Sequence, residues 1–155
     1  MSAATSAGLL LYRRASGGLE VLIGHMGGPF WRRKDDRAWS IPKGEYTTEE
    51  PFAAARREFR EELGVEAPDG DFLPLGSFRY SSGKTVLVFA LESDLEITEV
   101  RSNTFELEWP PRSGRLQAFP EIDDARWVSL DDARSKLVAG QVPMLDALIA
   151  ALADD

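Results

Sequence analysis

Apolar residues recur along this chain with two different periods, and the switches between them mark out its elements. Residues 7–14 (AGLLLYRR) and 19–25 (LEVLIGH) are apolar runs of strand length separated by Ser16, Gly17 and Gly18. Turn residues between two such runs predict a hairpin. The same arrangement returns at 71–80 (DFLPLGSFRY) and 84–92 (KTVLVFALE), joined by Ser81, Ser82 and Gly83. Residues 103–109 alternate as a half-buried strand does, with Phe105, Leu107 and Trp109 on one side and Glu106 and Glu108 on the other. A last strand is expected at 125–130 (ARWVSL).

Between the two hairpins the period lengthens to that of a helix. At roughly 100° per residue, Phe52, Ala55, Phe59 and Leu63 gather on one side, Glu58 and Glu61 turn away, and Glu62 falls at the boundary. Thr48 is the expected N-cap, with Glu49 and Glu50 in the first turn facing the positive helix end and Pro51 where no amide donor is needed. Gly64 is a natural stop, so the helix is expected over 49–63. Two further helices are expected at 131–138 and 143–153, divided by Gly140 and Pro143.

The remaining stretches lack either period. Residues 27–38 (GGPFWRRKDDRA) oppose regular structure, yet spend Phe30 and Trp31 where a solvated loop ordinarily would not. Either these rings tuck under the loop as a satellite core, or they form a substrate-side wall with Arg32, Arg33 and Lys34 at its rim. Trp39 to Pro42 is expected to be extended, because Pro42 biases its predecessor away from helix, and it delivers the chain to Lys43 and Gly44. Residues 110–120 (PPRSGRLQAFP) predict a long loop carrying Arg112 and Arg115. Residues 1–6 and 153–155 read as frayed ends. The 155 residues, 43% of them hydrophobic, suit a single domain over 1–155.

Charge and composition narrow the chemistry. A net charge of −8 argues against an extended nucleic acid as partner, since such binding rests on clustered Lys and Arg, but leaves small phosphate-bearing ligands open. The absence of cysteine removes disulfides, thiolate zinc sites and a cysteine nucleophile, and the lone His25 cannot build a histidine-rich site. Any metal must therefore be bound by oxygen. Neither a basic leader nor an apolar run of spanning length is present, so a cytosolic protein without a membrane partner is expected. His25 is given no role. Oxygen donors are dense in one place: Glu58, Glu61 and Glu62 stand at i, i+3 and i+4 of the expected helix. Each like-charge pair costs an isolated helix about 0.2–0.5 kcal/mol. A hard divalent cation, which collects carboxylate oxygens, would reverse that cost.

Residues 44–65 resemble the Nudix box, Gx5Ex7REUxEExGU, where U is a bulky apolar residue. Its second half matches at every fixed position from Arg57 to Val65 (REFREELGV). The first half is one residue short: seven back from Arg57 gives Glu49, whereas five on from Gly44 gives Glu50. Glu49 is favoured, because a deletion in the loop from Tyr46 to Thr48 costs less than one inside a helix, where every later residue would turn by ~100°. The resemblance implies an α/β/α sandwich built on a mixed β-sheet, within the α/β (α+β) class.

It also implies a hydrolase, dependent on Mg²⁺ or Mn²⁺, that splits a diphosphate linkage in a small nucleoside diphosphate-linked molecule with water. By the family pattern Glu58 and Glu62 would be the principal metal ligands, with Glu61 adjacent and the Gly44 carbonyl adding an oxygen, while Arg57 would orient the glutamates. The general base would be a box glutamate or a carboxylate from a later loop, for which Glu121 is the candidate. Lys43 is a candidate for binding a substrate phosphate, and Arg79, Lys84, Arg112 and Arg115 are further ones. Trp39 and Trp109 could stack on a base or belong to the core. Two alternatives stand beside the hydrolase. One is a nucleotide sensor of the same fold without turnover, which would not need the crowded acids; the other is a prenyl diphosphate isomerase, which by family analogy would want a cysteine.

Overall fold

The computed structural model describes residues 5–153. The first hairpin forms as expected, with β1 (Thr5–Ala15) and β2 (Gly18–Met26) antiparallel and Ala15 opposite Gly18. Thr5 and Ser6, expected to fray, instead open β1; the other residues of that expected arm lie outside the described ones. The two strands pair only over Tyr12–Ala15 and Gly18–Val21, then part. The segment that follows the 27–38 loop fills the fork. β3 (Trp39–Ser40) pairs with β2 at Gly24 and His25, and β4 (Lys43–Glu45) pairs with β1 at Ser6 to Gly8. Lys43 and Gly44 are thus held by strand pairing with β1.

α1 (Pro51–Leu63) starts two residues later than expected. Glu50 is its N-cap, the carboxylate accepting from the amides of Phe52 and Ala53 at 3.2 and 3.0 Å. Glutamate displaces Thr48 because Pro51 occupies the first helical position and the longer acid reaches both free donors. Gly64 ends the helix in a left-handed conformation, φ 82°, its amide donating to the Arg60 carbonyl.

The second hairpin, β5 (Phe72–Arg79) with β6 (Thr85–Glu92), attaches to the first through a parallel pairing of β6 with β1 over Thr5–Tyr12. β7 (Thr104–Glu108) is the predicted alternating strand. The expected 110–120 loop is shorter than expected, because Leu116–Pro120 forms β8 and pairs with β7 as a separate two-stranded ribbon. β9 (Ile122–Ser129) adds to the free edge of β2 and completes a seven-stranded mixed sheet. α2 (Leu130–Lys136), a 3-10 turn at Ala139–Gln141 and α3 (Pro143–Ala153) follow. Ala153, expected to fray, still belongs to α3.

Alternation along β1 divides the interior. Leu10 and Tyr12 face one core with Ala133, Leu137, Met144, Leu145 and Leu148 of the C-terminal segment. Ala7, Leu9 and Leu11 face the other with Ala54, Ala55, Phe59 and Leu63 of α1. The sheet therefore lies between two helical layers. No helix among the described residues is long and apolar enough to cross a membrane.

Candidate active site

The fork between β1 and β2 decides where the chemistry sits. β4 leaves it carrying Lys43 and Gly44 directly against the second and third turns of α1. A Cβ on Gly44 would lie 2.0 Å from Cδ of Glu58 and 2.3 Å from both of its oxygens. Only hydrogen on that carbon lets the carboxylate come so near. The Lys43 amide donates to Oε1 of Glu62 at 3.1 Å. Two of the three crowded acids are thus seated on the backbone of β4.

Arg57 binds the third, Glu61, together with Glu58 and Glu49. Its Nε and Nη2 donate to the two oxygens of Glu49 at 2.8 and 2.7 Å, while Nη1 donates to Glu58 at 2.7 Å and Glu61 at 3.1 Å. Hydrogen bonding to Glu49 is the main reason the guanidinium is held even more firmly protonated than usual, and the same bonds pull the Glu49 carboxyl below its ordinary range. One cation thus ties together Glu58 and Glu61 of α1 and Glu49 just before it.

A cleft of about 270 Å³ brings Glu58, Glu62, Lys43, Gly44 and Glu121 together. Ser6, Glu45, Tyr80, Lys84 and Asn103 complete its walls. Glu61 does not line it; its carboxylate stays with Arg57, and its carbonyl accepts from the Asn103 amide at 2.8 Å. Arg112 and Arg115 lie exposed in the turn between β7 and β8, away from the cleft walls. Trp39 is 4% exposed and core, its indole donating to Asp35. Trp109 meets Phe30 edge to face at 5.5 Å, and the 27–38 loop splits, with Phe30 57% exposed and Trp31 packed partly against the core.

Tyr80 is a member that sequence reasoning missed. Gln141, fully buried, donates to the Tyr80 hydroxyl at 3.0 Å and to Ser40 Oγ at 2.8 Å, and accepts from the Ile41 amide at 2.9 Å. The ring lies 5.9 Å from Lys43 Nζ and packs so tightly on Gly140 that a Cβ there would fall 2.0 Å from it. A tyrosine closing a strand gave no sign of this, because its partner is 61 positions away. His25 likewise has a structural place. Its ring nitrogens meet Asp123 Oδ1 and the Lys34 carbonyl, each at 2.7 Å, and tie the 27–38 loop to β9.

Burial makes Glu62 costly to ionise. Desolvation pushes its carboxyl up to about 8, against smaller opposing effects of the Lys43 amide and ammonium, and Glu58 and Glu121 raise it further. Glu58 is raised as well, chiefly by burial. Among the described residues no three Asp, Glu, His or Cys side chains are already drawn together to hold a metal ion. Arg57 and the Lys43 amide engage the oxygens that would do so. The donor set nevertheless fits a hard cation, being made of desolvated carboxylates, one of them brought against the backbone at Gly44 where no Cβ stands in its way.

A stability effect follows from Glu62. Between pH 4.5 and about 8 the folded chain holds one proton more at this carboxyl than the unfolded chain, so stability falls as pH rises through that window. Thermal melts of chelator-treated protein should show this fall. If Glu62 holds a divalent cation, added cation should restore more stability at pH 8 than at pH 6, since a carboxyl must lose its proton to bind metal. A melting temperature that stays level or rises across the window would contradict the assignment.

Comparison with known proteins agrees with this architecture. The Nudix domain family profile matches residues 3–148. Similar solved structures include an Ap4A hydrolase binary complex from C. elegans, 22% identical with a TM-score of 0.64, the match covering 98% of this chain and 99% of that one. The NUDIX domain of Shewanella oneidensis NrtR complexed with ADP ribose is 14% identical with a TM-score of 0.68, covering 98% and 90%. The Nudix hydrolase RenU from M. smegmatis is 21% identical with a TM-score of 0.60, covering 99% and 88%. No curated protein sequence matches the chain. A family profile running through nearly all the described residues, over a mixed sheet between helical layers, makes this chain a member of the Nudix domain family.

Proposed function

We propose that the chain is a pyrophosphohydrolase that uses Mg²⁺ or Mn²⁺ to hydrolyse a diphosphate linkage in a nucleotide or dinucleoside polyphosphate. The observation that carries this reading is the convergence of Glu58, Glu62 and Glu121 with Lys43 and Gly44 in one cleft. Splitting a phosphoanhydride requires charge on the non-bridging oxygens to be neutralised and a water to be aimed at phosphorus and relieved of a proton. Glu58, Glu62 and the Gly44 carbonyl would hold the cation, and Glu61 would serve as a reserve acid tethered by Arg57. Bound there, the cation would supply the neutralising charge. Arg57 keeps Glu58 aimed by hydrogen bonding it against Glu49. Lys43 and Lys84 line the same cleft and would bind the phosphates there. Glu121, on a separate loop, would accept the water's proton.

A nucleotide sensor of the same fold is the second reading. What favours it is that one similar domain, that of NrtR, was solved complexed with ADP ribose. The isomerase reading has no support in this site, which contains no cysteine. Purified protein incubated with Ap4A, ADP-ribose and nucleoside triphosphates, each with Mg²⁺ or Mn²⁺ and coupled phosphate detection, separates the readings. Turnover of at least one compound is expected. Tight binding without turnover across the panel would select the sensor.

A further inference from the structure

Gln141 sits fully buried in the 3-10 turn before α3, yet its side chain ends on Tyr80, which lines the cleft. Its amide has one possible orientation. The Ile41 backbone N–H can only donate, so the atom it meets at 2.9 Å is the Gln141 oxygen, and the amide nitrogen faces Ser40 Oγ at 2.8 Å and the Tyr80 hydroxyl at 3.0 Å. Ser40 gives its own proton to the Ile41 carbonyl at 2.7 Å. An amide nitrogen has hydrogens to give and cannot receive one, so the Tyr80 oxygen must accept. Its own proton is left over, and among the described residues no acceptor takes it.

The ring cannot swing to another partner. Tyr80 closes the second hairpin, its amide donating to the Lys84 carbonyl at 2.8 Å and its carbonyl accepting from the Gly83 amide at 2.9 Å. The ring rests on Gly140, where a Cβ would lie 2.0 Å from Cδ1 and 2.7 Å from Cε1. Backbone and ring are both fixed, and rotation of one O–H bond remains. Burial holds the phenol above the ordinary tyrosine range, against the smaller opposing effect of the Gln141 hydrogen bond, so the proton stays on at neutral pH. Lys43 and Lys84 line the cleft beside Tyr80, with Lys43 Nζ 5.9 Å from the centre of its ring. Two ammonium groups and a spare phenolic proton all donate, and a ligand that meets them must bring acceptors.

We infer that Tyr80 donates its hydroxyl proton to a phosphate oxygen of the substrate, and that Gln141 is the positioning residue that keeps it a donor. What the phosphate belongs to rests on the hydrolase reading, whereas the contact itself is tested apart from turnover. The turn at Ala139–Gln141 thereby serves the site although none of its residues lines the cleft.

The test is calorimetric binding of inorganic pyrophosphate in Mg²⁺, a probe with phosphate oxygens and neither base nor sugar. Tyr80→Phe keeps the ring on Gly140 and removes only the hydroxyl, and should weaken binding about tenfold, as expected for one hydrogen bond to a charged group. Gln141→Met keeps the length but not the amide, and should weaken binding about threefold or more where Tyr80 is present and hardly at all in a chain that already carries Tyr80→Phe. A merely structural glutamine would act alike in both backgrounds. Full affinity in Tyr80→Phe, a Gln141→Met effect that is absent or the same in both backgrounds, or no measurable binding by wild type would overturn the inference. Melting curves identify a variant that fails to fold, and Raman spectra of wild type then decide. The tyrosine doublet follows how strongly a phenol donates, and with three tyrosines in the chain a change at one is visible. Adding pyrophosphate should shift it toward the donor form; an unchanged doublet would overturn the inference. Loss of affinity in Tyr80→Phe, when wild type turns over no diphosphate, would sustain Tyr80 and defeat the hydrolase. Turnover by wild type with undiminished affinity in Tyr80→Phe would do the reverse.

Discussion

Glu62→Gln is expected to slow hydrolysis by about a hundredfold or more while making the chelator-treated protein more stable above pH 7. The two effects have one source. Glu62 is buried, and the ionised form that the proposed cation would need is the one its burial disfavours. Glutamine keeps the shape and an oxygen for the Lys43 amide, which Glu62 accepts at 3.1 Å, but removes the charge. Loss of one preorganised electrostatic group in an active site commonly costs about 10²–10³ in rate. The gain in stability arises because the neutral amide has no proton to surrender, so the fall in melting temperature between pH 4.5 and 8 should flatten. Divalent cation should then stabilise wild type at pH 8 far more than the variant. A near-normal rate would sink the assignment of Glu62 as a ligand, and an unaltered pH profile would sink the account of its burial.

Gly44→Ala should be nearly as damaging by another route. The added carbon would stand 2.0 Å from Cδ of Glu58, so either the carboxylate or β4 must move. Neither is free: Arg57 holds Glu58 at 2.7 Å, and β4 is registered to β1 with Gly44 opposite Ala7. Overpacking of this kind costs about 1–3 kcal/mol, and a displacement of about 1 Å at reacting groups can cost on the order of 10² in rate. Gly17→Ala is the matched control, because nothing lies within 4 Å of its added carbon. It should leave the melting temperature and rate almost where they were. Wild-type rates from Gly44→Ala would show that the close approach of Glu58 is not used.

Local patterns made the secondary elements and the acidic strip legible. Both hairpins, α1 and the alternation at Phe105 and Leu107 depend on neighbours a few positions away, and periodicity reports those directly. The N-cap was misread because Thr48 is the better capping type in isolation, while Glu50 has the position that Pro51 dictates. Residues 116–120 looked like loop because β8 is exposed and its partner, β7, is all that makes it a strand. The site divides in the same way. Glu58 and Glu62 were visible from helical spacing, and Glu121 was proposed for its loop and lies in the cleft. Tyr80, Asn103 and Ser6 were invisible, because each reaches the cleft through pairings between distant parts of the chain. Glu61 shows the limit of spacing arguments, since the strip it shares with Glu58 does not decide which acid faces the cleft and which faces Arg57.

The parallel pairing of β1 with β6 also bears on the order in which the protein assembles. Thr5 and Thr85 meet across 80 positions of chain, and β1 from Thr5 to Tyr12 waits for that partner. Contacts so remote form late and slowly, because the intervening chain must first give up its freedom. α1 can coil early from its own sequence, but its acids gain their backbone seats only when β4 has docked on β1. A half-folded chain would carry an acidic helix without a cleft, unable to gather a cation and inert toward phosphoanhydrides. Hydrolytic competence would then arrive with the last long-range closure, and only finished molecules would carry the activity.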